Sequence, residues 1–568
     1  MTMMFSIQDS FKLRLRKGSK KAEDTIVLSF FLLIILVPVI YLFSYVFFNL
    51  EEVYQWVFND PISGNAHWIF MQKSILLSFE VASLVTIVDI IIGLPMAWIL
   101  SRYDFKGKKA VDTLIDLPLA VPTSALGFSI FLFWGSRSGL ASLFGIETGL
   151  FSRGPMMIIL AHIAFTYPYI VRSLTAIIEG VNIGYEYAAR TLGAPSVTAF
   201  RTITLPLIRP GLITGAILTF TRSLGETGAT LLVCGIYETA PLTIVAWRQL
   251  LEIPPAAFLG MTVVAVAVFL LFIANYLAER WRFPLRWVWP NIEKFLGEKA
   301  PRSLRDLLTI LIFLSIVLIP SLFTLVYAGD WWSGSPFTGA KESGAFYQVF
   351  LAPDRKWLSL LMSMLTSLEI STVVTCLNLA FGIPMALLIV QNKSKHLGEI
   401  LDTLLNIPIA IPSAALGFSA YLFWGTKGLR IFSPGFWLIV LVHTAATYPY
   451  MVKQVASVLE GLPSMYEEAA RTLGAKPFSV FRTITLPLSM PGILAGTILS
   501  FTRSLGETGA TIVVIGTART VPVLVVNWVE AMALPAAAFA SVVLIAISYV
   551  LMLLFRYLTE VVNIKPKV

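Results

Sequence analysis

The segment FRTITLPLIRPGLITGAILTFTRSLGETGAT, beginning at Phe200, recurs as FRTITLPLSMPGILAGTILSFTRSLGETGAT, beginning at Phe481, with 24 of 31 positions identical at a constant offset of 281 residues. Two copies so alike must adopt one local structure, so the fold has to be a tandem repeat. The chain around them has 568 residues, of which 57% are hydrophobic and 13% charged, and its mean hydropathy is +0.79. That composition lies outside the range of soluble domains and predicts an integral protein of the lipid bilayer. A net charge of +9 would suggest nucleic acid in a soluble protein. Here Lys and Arg fall mostly in short segments between apolar runs, as membrane orientation requires, and nucleic acid is excluded as a partner. Cys234 and Cys376 sit in or beside apolar runs and no Cys/His cluster occurs, so neither a metal site nor a disulfide framework is expected and no cofactor is assigned to the chain.

A helix needs about 20 apolar residues to cross the bilayer and must satisfy its own backbone there. The predicted fold is therefore an all-α polytopic membrane protein with twelve transmembrane helices. They are expected near 25 to 49, 73 to 100, 112 to 134, 155 to 178, 206 to 235 and 256 to 279, then near 306 to 328, 358 to 390, 402 to 424, 435 to 456, 487 to 515 and 536 to 556. The first apolar run, from Thr25 to Leu50, is too long for a signal peptide and reads as a retained helix. The N-terminal arm, the segments 101 to 109, 179 to 205, 280 to 305 and 391 to 396, and the tail are basic or polar and fall on one side, which is expected to be the cytoplasm of a cell-membrane protein. Each half has an even number of spans, so the two six-helix repeats are parallel. The expected division is an arm over 1–24, a first half over 25–280, a linker over 281–305, a second half over 306–557 and a tail over 558–568, with both termini cytoplasmic.

Two cytoplasmic loops are the most informative. YEYAARTLGAPSVTAFRTITLP (185 to 206) and YEEAARTLGAKPFSVFRTITLP (466 to 487) are too polar to span, and their Ala, Gly and Pro residues punctuate two short helices. Loops that stay this alike while their neighbours diverge are expected to insert into a partner. The pattern Glu468, Ala469, Ala470, Gly474, Ile484, Leu486, Pro487 resembles the cytoplasmic motif of permease subunits of type I ATP-binding-cassette importers. The first half repeats it as Tyr187, Ala188, Ala189, Gly193, Ile203, Leu205, Pro206, with its acid, Glu186, one residue early. The resemblance covers both halves. It implies the type I importer fold, a coupling helix in each loop seated in a cleft of an ATPase, two ATPase subunits, and an extracytoplasmic substrate-binding protein. The motif G-x-x-x-x-G-K-[ST] is absent, so the chain is not expected to be an enzyme, and ATP hydrolysis belongs to a separate subunit.

Inside the spans, Arg222 and Glu226, repeated as Arg503 and Glu507, are four residues apart on one helix face. Ionised groups at that depth need a partner or a wet path. They read either as a gate where the two halves meet or as ion pairs that brace the bundle. Pro122 and Ser124, and Pro412 and Ser413, lie in spans rich in small residues, where a broken helix suits a pathway lining or a packing kink. His162 and His443, each close to a Tyr-Pro, read as satisfied structural histidines. The resemblance implies alternating access. SLGETGAT resembles the molybdate, tungstate and sulfate permeases and favours a small oxyanion, whereas the fusion of two halves is similar to ferric-iron and thiamine importers. An ion-coupled secondary transporter is the alternative from a different class, and a membrane-embedded enzyme lacks any catalytic cluster.

Overall fold

The structure is a computed structural model that describes residues 22–59, 65–280, 302–331, 344–393, 396–425 and 427–562. The basic arm, most of the linker and the end of the tail lie outside the described residues. Among the described residues there is no strand, and nine helices are long and apolar enough to cross a membrane. They are Ala22–Phe48, Ala66–Arg102, Pro155–Gly180, Ser196–Gly225, Ile253–Leu270, Leu304–Ala328, Lys356–Gln391, Pro477–Gly506 and Leu534–Leu554. Two further spans are bent pairs, Lys108–Leu119 with Thr123–Phe144 and His396–Ala410 with Ser413–Trp424, each turning by 103°. Phe436–Glu460, the twin of Pro155–Gly180, is the helix found where the remaining span was expected, near 435 to 456. Its sequence is less apolar because the protein covers most of it, including His443, Thr444 and Thr447, so lipid contact does not set its composition.

The prolines set the bends. Pro122 and Pro412 adopt extended backbone, with φ −56°, ψ 139° and φ −53°, ψ 135°, and helix resumes at the next residue. A proline here has no N–H to give to the preceding turn, while its carbonyl accepts the first N–H of the new helix, from Leu126 or Leu416 at 2.9 Å. Each fifth-type span opens with a π-helical turn, Phe200–Thr204 or Phe481–Thr485, just before Pro206 or Pro487. After the break at Glu226 or Glu507 it continues as a short helix, Gly228–Val233 or Gly509–Val514.

Two features were not predicted. A buried apolar helix, Ala240–Gln249 or Val521–Glu530, follows each fifth-type span where a loop was expected, and its first N–H is received by Ser78 Oγ at 2.8 Å or Ser367 Oγ at 3.0 Å. The first helix of each half also packs on the other half. Phe30 stacks on Phe381 with ring centroids 3.8 Å apart, and Tyr41 Oη donates to the Lys427 carbonyl at 2.9 Å. In the reverse sense Phe313 stacks on Tyr167 at 5.5 Å, Phe323 meets Phe133 edge-on, and the Thr324 N–H donates to Ser129 Oγ at 2.9 Å. Phe31 and Leu42 thus belong to the second half's core, and Phe313 and Val317 to the first half's.

Candidate gate and coupling loops

The two SLGETGAT segments meet each other reciprocally. A first side-chain carbon at Gly228 would lie 2.7 Å from Thr508 Cβ and closer still to Thr123 Oγ1. At Gly509 it would lie 2.5 Å from Thr227 Cβ and 2.6 Å from Ser413 Oγ. Gly225 and Gly506 face the backbone of Pro412 and Pro122 of the opposite half, at 3.0 and 3.1 Å from the same imagined carbon. Reciprocal contacts of this kind define a pseudo-twofold axis, and glycine is required because no side chain fits between the crossing backbones. Thr227, Thr508 and the residues from Gly228 to Thr230 are fully buried, so the axis is sealed at this level.

Behind the seal lie the four intramembrane charges. Glu226 interacts electrostatically with Arg222, Arg503 and Glu507, so the two pairs form one cluster across the axis. Each carboxylate also accepts the N–H three residues on, Ala229 to Glu226 at 3.2 Å and Ala510 to Glu507 at 3.3 Å, which anchors the restart of the helix. The imidazoles close the same break from the side. His162 is bonded to Ser223 Oγ and Thr230 Oγ1, both at 2.8 Å, and His443 to Ser504 Oγ at 3.0 Å and Thr511 Oγ1 at 2.8 Å. Both nitrogens of each ring are thereby used, as read for structural histidines.

Among the residues singled out in the third-type spans, Pro122, Pro412 and Ser413 reach the axis, whereas Ser124 is completely buried with its hydroxyl unbonded. The twin of Ser413 is Thr123, because the offset in these spans is 290, and Thr123 is the residue beside Gly228. Sequence reading missed Thr123, Thr227 and Thr508, although the last two are inside the duplicated segment. It also missed Arg172, which grips Asp116 with two bonds of 2.7 and 2.6 Å and Asp112 with two more, to its carboxylate at 2.5 Å and its carbonyl at 2.6 Å, tying the bent third span to the fourth. Its twin Lys453 bonds the Asn406 side-chain oxygen. The change from Asp116 to Asn406 thus accompanies a change from a forked cation to a point cation.

The loops form the expected pairs of short helices, Gly184–Thr191 with Ser196–Ala199 and Met465–Thr472 with Pro477–Val480. Gly193 and Gly474 end the first helix of each pair at φ +90° and +85°, the left-handed conformation that glycine alone adopts without strain. Leu192 and Leu473, both 89% exposed, stand at the tips, flanked by exposed Tyr185, Tyr187, Tyr466 and Phe478. Ala188, Ala469 and Glu468 are also exposed, while Ala189 and Ala470 turn partly inward. The acid that braces each elbow is the earlier one. Glu186 Oε1 accepts from Thr204 Oγ1 at 2.9 Å and from Arg102 Nη2 at 3.1 Å, and Glu467 Oε1 accepts from Thr485 Oγ1 at 2.6 Å. Glu186 and Glu467 are therefore twins, and Glu468, matched by Tyr187, is a surface residue. A cavity of about 640 Å³ beside the first elbow separates Arg102, Glu186 and Phe200 from Arg305 at the start of the seventh span.

Comparison with known proteins matches this arrangement. The family described as binding-protein-dependent transport system inner membrane component is found twice, over residues 89–283 and 378–564. The sulfate transport system permease protein CysT of Salmonella typhimurium is 35% identical over 261 residues, which are 44% of this chain and 90% of that protein. The molybdenum transport system permease protein ModB of Escherichia coli is 37% identical over 219 residues, 36% of this chain and 93% of its own. A probable sulfate transport system permease protein of Chlorella vulgaris is 30% identical over 220 residues, covering 38% and 80%. Each relative is thus nearly spanned by less than half of this chain. With one family domain in each repeat, the chain belongs to the permease family of type I ATP-binding-cassette importers and carries two permease halves in one polypeptide.

Proposed function

We propose that the chain is the membrane permease of an ATP-driven importer for a small inorganic oxyanion such as sulfate or molybdate. The observation that carries this reading is that permeases of the sulfate and molybdenum transport systems align over nine-tenths of their length with a single repeat. The face bearing the elbows is the cytoplasmic one, in keeping with the basic segments on that side. Two ATPase subunits receive the elbows, with Leu192 and Leu473 as apolar anchors and Glu468 and Tyr187 as neighbours. An extracytoplasmic binding protein delivers the anion to the opposite face.

The gate follows from the geometry at the axis. Thr227, Thr508, Thr123 and Ser413 close the path against the outside, and Gly225, Gly228, Gly506 and Gly509 let the four segments touch. ATP binding draws the two elbows together, the halves rock about the axis, and the seal parts to expose Arg222, Glu226, Arg503 and Glu507. ATP need only favour one of two packed arrangements over the other for this to work. Pro122 and Pro412 allow the halves to part because their helices are already broken where they cross. Ferric iron or thiamine, the alternative cargo, has no counterpart among the relatives described above.

The test is uptake into proteoliposomes containing this chain, its ATPase and its binding protein. Sulfate or molybdate entry that requires ATP supports the proposal. ATP hydrolysis stimulated by a binding protein loaded with iron or thiamine, with neither anion imported, would refute the choice of cargo.

A further inference from the structure

The segment FTRSLGETGAT is identical in the two halves, from Phe220 and from Phe501, yet its arginines are placed differently. Arg503 Nη2 lies 3.9 Å from Glu507 Oε2, forming an ion pair within the helix turn. Arg222 has no carboxylate oxygen within that range among the described residues. Its guanidinium instead lies over the ring of Phe165, 4.9 Å from the centroid, with Tyr169 at 6.0 Å. The glutamates do not cause the difference, since both accept the equivalent backbone N–H at nearly equal distance. The difference lies across the helix interface: the residue 281 after Phe165 is Ala446, which offers no ring there, while Tyr450, the twin of Tyr169, stays beside Arg503.

The consequence is chemical. Nε and Nη2 of Arg222 are buried and bonded to nothing in the protein, although buried donors are almost always satisfied. These two nitrogens form one edge of the guanidinium plane, the edge that grips two oxygens of a carboxylate, phosphate or similar anion side by side. A ring face attracts the cation without using that edge, because it contacts the plane and not the N–H groups. Phe165 therefore takes the face of Arg222 and leaves its forked edge without a hydrogen bond, while the Arg222 charge still acts on Glu226.

We infer that the two arginines have separate duties: Arg222 contacts the oxyanion through its Nε–Nη2 edge, Phe165 is the positioning residue that keeps this edge free of protein hydrogen bonds, and Arg503 is an internal brace. The inference rests on the oxyanion reading above. It makes the path chemically one-sided although the fold around it is twofold. It also explains why a central cluster with equal numbers of arginines and glutamates can accept an anion: one arginine closes on its own acid, and the other keeps a free hydrogen-bonding edge.

The experiment uses the full complex of chain, ATPase and binding protein in proteoliposomes, with labelled sulfate and labelled molybdate as probes and rates expressed per folded complex. Arg222→Gln is expected to slow uptake by about tenfold or more, the loss of a charge-assisted bond. Arg503→Gln is expected to act mainly on yield and thermal stability, with a much smaller loss of rate in the complexes that form. Phe165→Ala should approach the Arg222→Gln rate, and Phe165→Tyr, which restores a ring, should recover most of it. Equal losses from Arg222→Gln and Arg503→Gln, or a Phe165→Ala rate matching wild type, would overturn the division of roles while leaving the cargo reading intact. Wild-type complexes that hydrolyse ATP but import neither anion would overturn both.

Discussion

Asp89 and Asn378 occupy twin positions in the second and eighth spans and make the same contact. Thr166 Oγ1 donates to Asp89 Oδ2 at 2.5 Å, and Asn378 Nδ2 donates to Thr447 Oγ1 at 2.7 Å. Both groups are fully buried, so the second half already shows that a carboxamide fills the slot. Asp89→Asn is therefore expected to change stability by no more than about 0.5 kcal/mol, read by thermal unfolding in detergent. A loss several times larger would mean that the carboxyl has a duty the amide cannot perform. At the axis the tolerance is opposite. Gly228→Val or Gly509→Val forces Thr508 or Thr227 aside, and the expected result is a protein that inserts and binds its ATPase but imports less than a tenth as fast, about 1.4 kcal/mol per tenfold. Which of these residues sequence could reveal depended on distance along the chain. The Arg–Glu spacing of four and the repeated glycines were visible, because they lie within one helix turn or two. The bonds from Arg172 to Asp112 and Asp116 span 60 and 56 residues, and nothing local announces them. The ring that distinguishes Arg222 from Arg503 was hidden for the same reason.

The elbows are elements whose shape was legible almost entirely. Alanine-rich turns, a glycine and a following proline predicted two short helices, and the positive φ at Gly193 and Gly474 supplies the reason for the glycines. In the second copy the acid of the family pattern, Glu468, is exposed, whereas the side chain that bonds within the elbow is its neighbour Glu467. Replacing Leu192 and Leu473 together by Asp is expected to abolish co-purification of the ATPase without reducing the amount of chain in the membrane. Retained ATPase at wild-type stoichiometry would show that the tips are not the docking surface. The bent third span was only half legible: Pro122 announces a break, but not a turn of 103°, because the angle is set by what the restarted helix packs against, here Ala229 beneath Gly127. The helix Ala240–Gln249 was missed because ten residues are too few to register as a span, and the apolar run merged with the loop around it.

At the scale of the molecule, the number of crossings and the parallel duplication were readable, since hydropathy and repeat offset report them directly. The exchange of first helices was not, because hydropathy marks that a segment crosses and is silent about its neighbours. That exchange predicts that a chain cut within the linker and expressed as two fragments will reassemble, each half clasped by the other's first span, and that removing residues before Ala66 from the first fragment will prevent it. Affinity capture of one fragment and measurement of the other decides the matter. In the proposed transport cycle a rocking half would carry its partner's first helix with it, so the two could not drift apart. In the proposed cycle, work passes from a separate ATPase through both elbows to the gate at the axis. The most direct measurement is labelled sulfate uptake by proteoliposomes holding the full complex, with ATP or with an ion gradient alone, for wild type and for the Leu192→Asp, Leu473→Asp double variant. Uptake that needs ATP and disappears in the double variant is the predicted result. Uptake driven by the gradient in vesicles that contain no ATPase would contradict it.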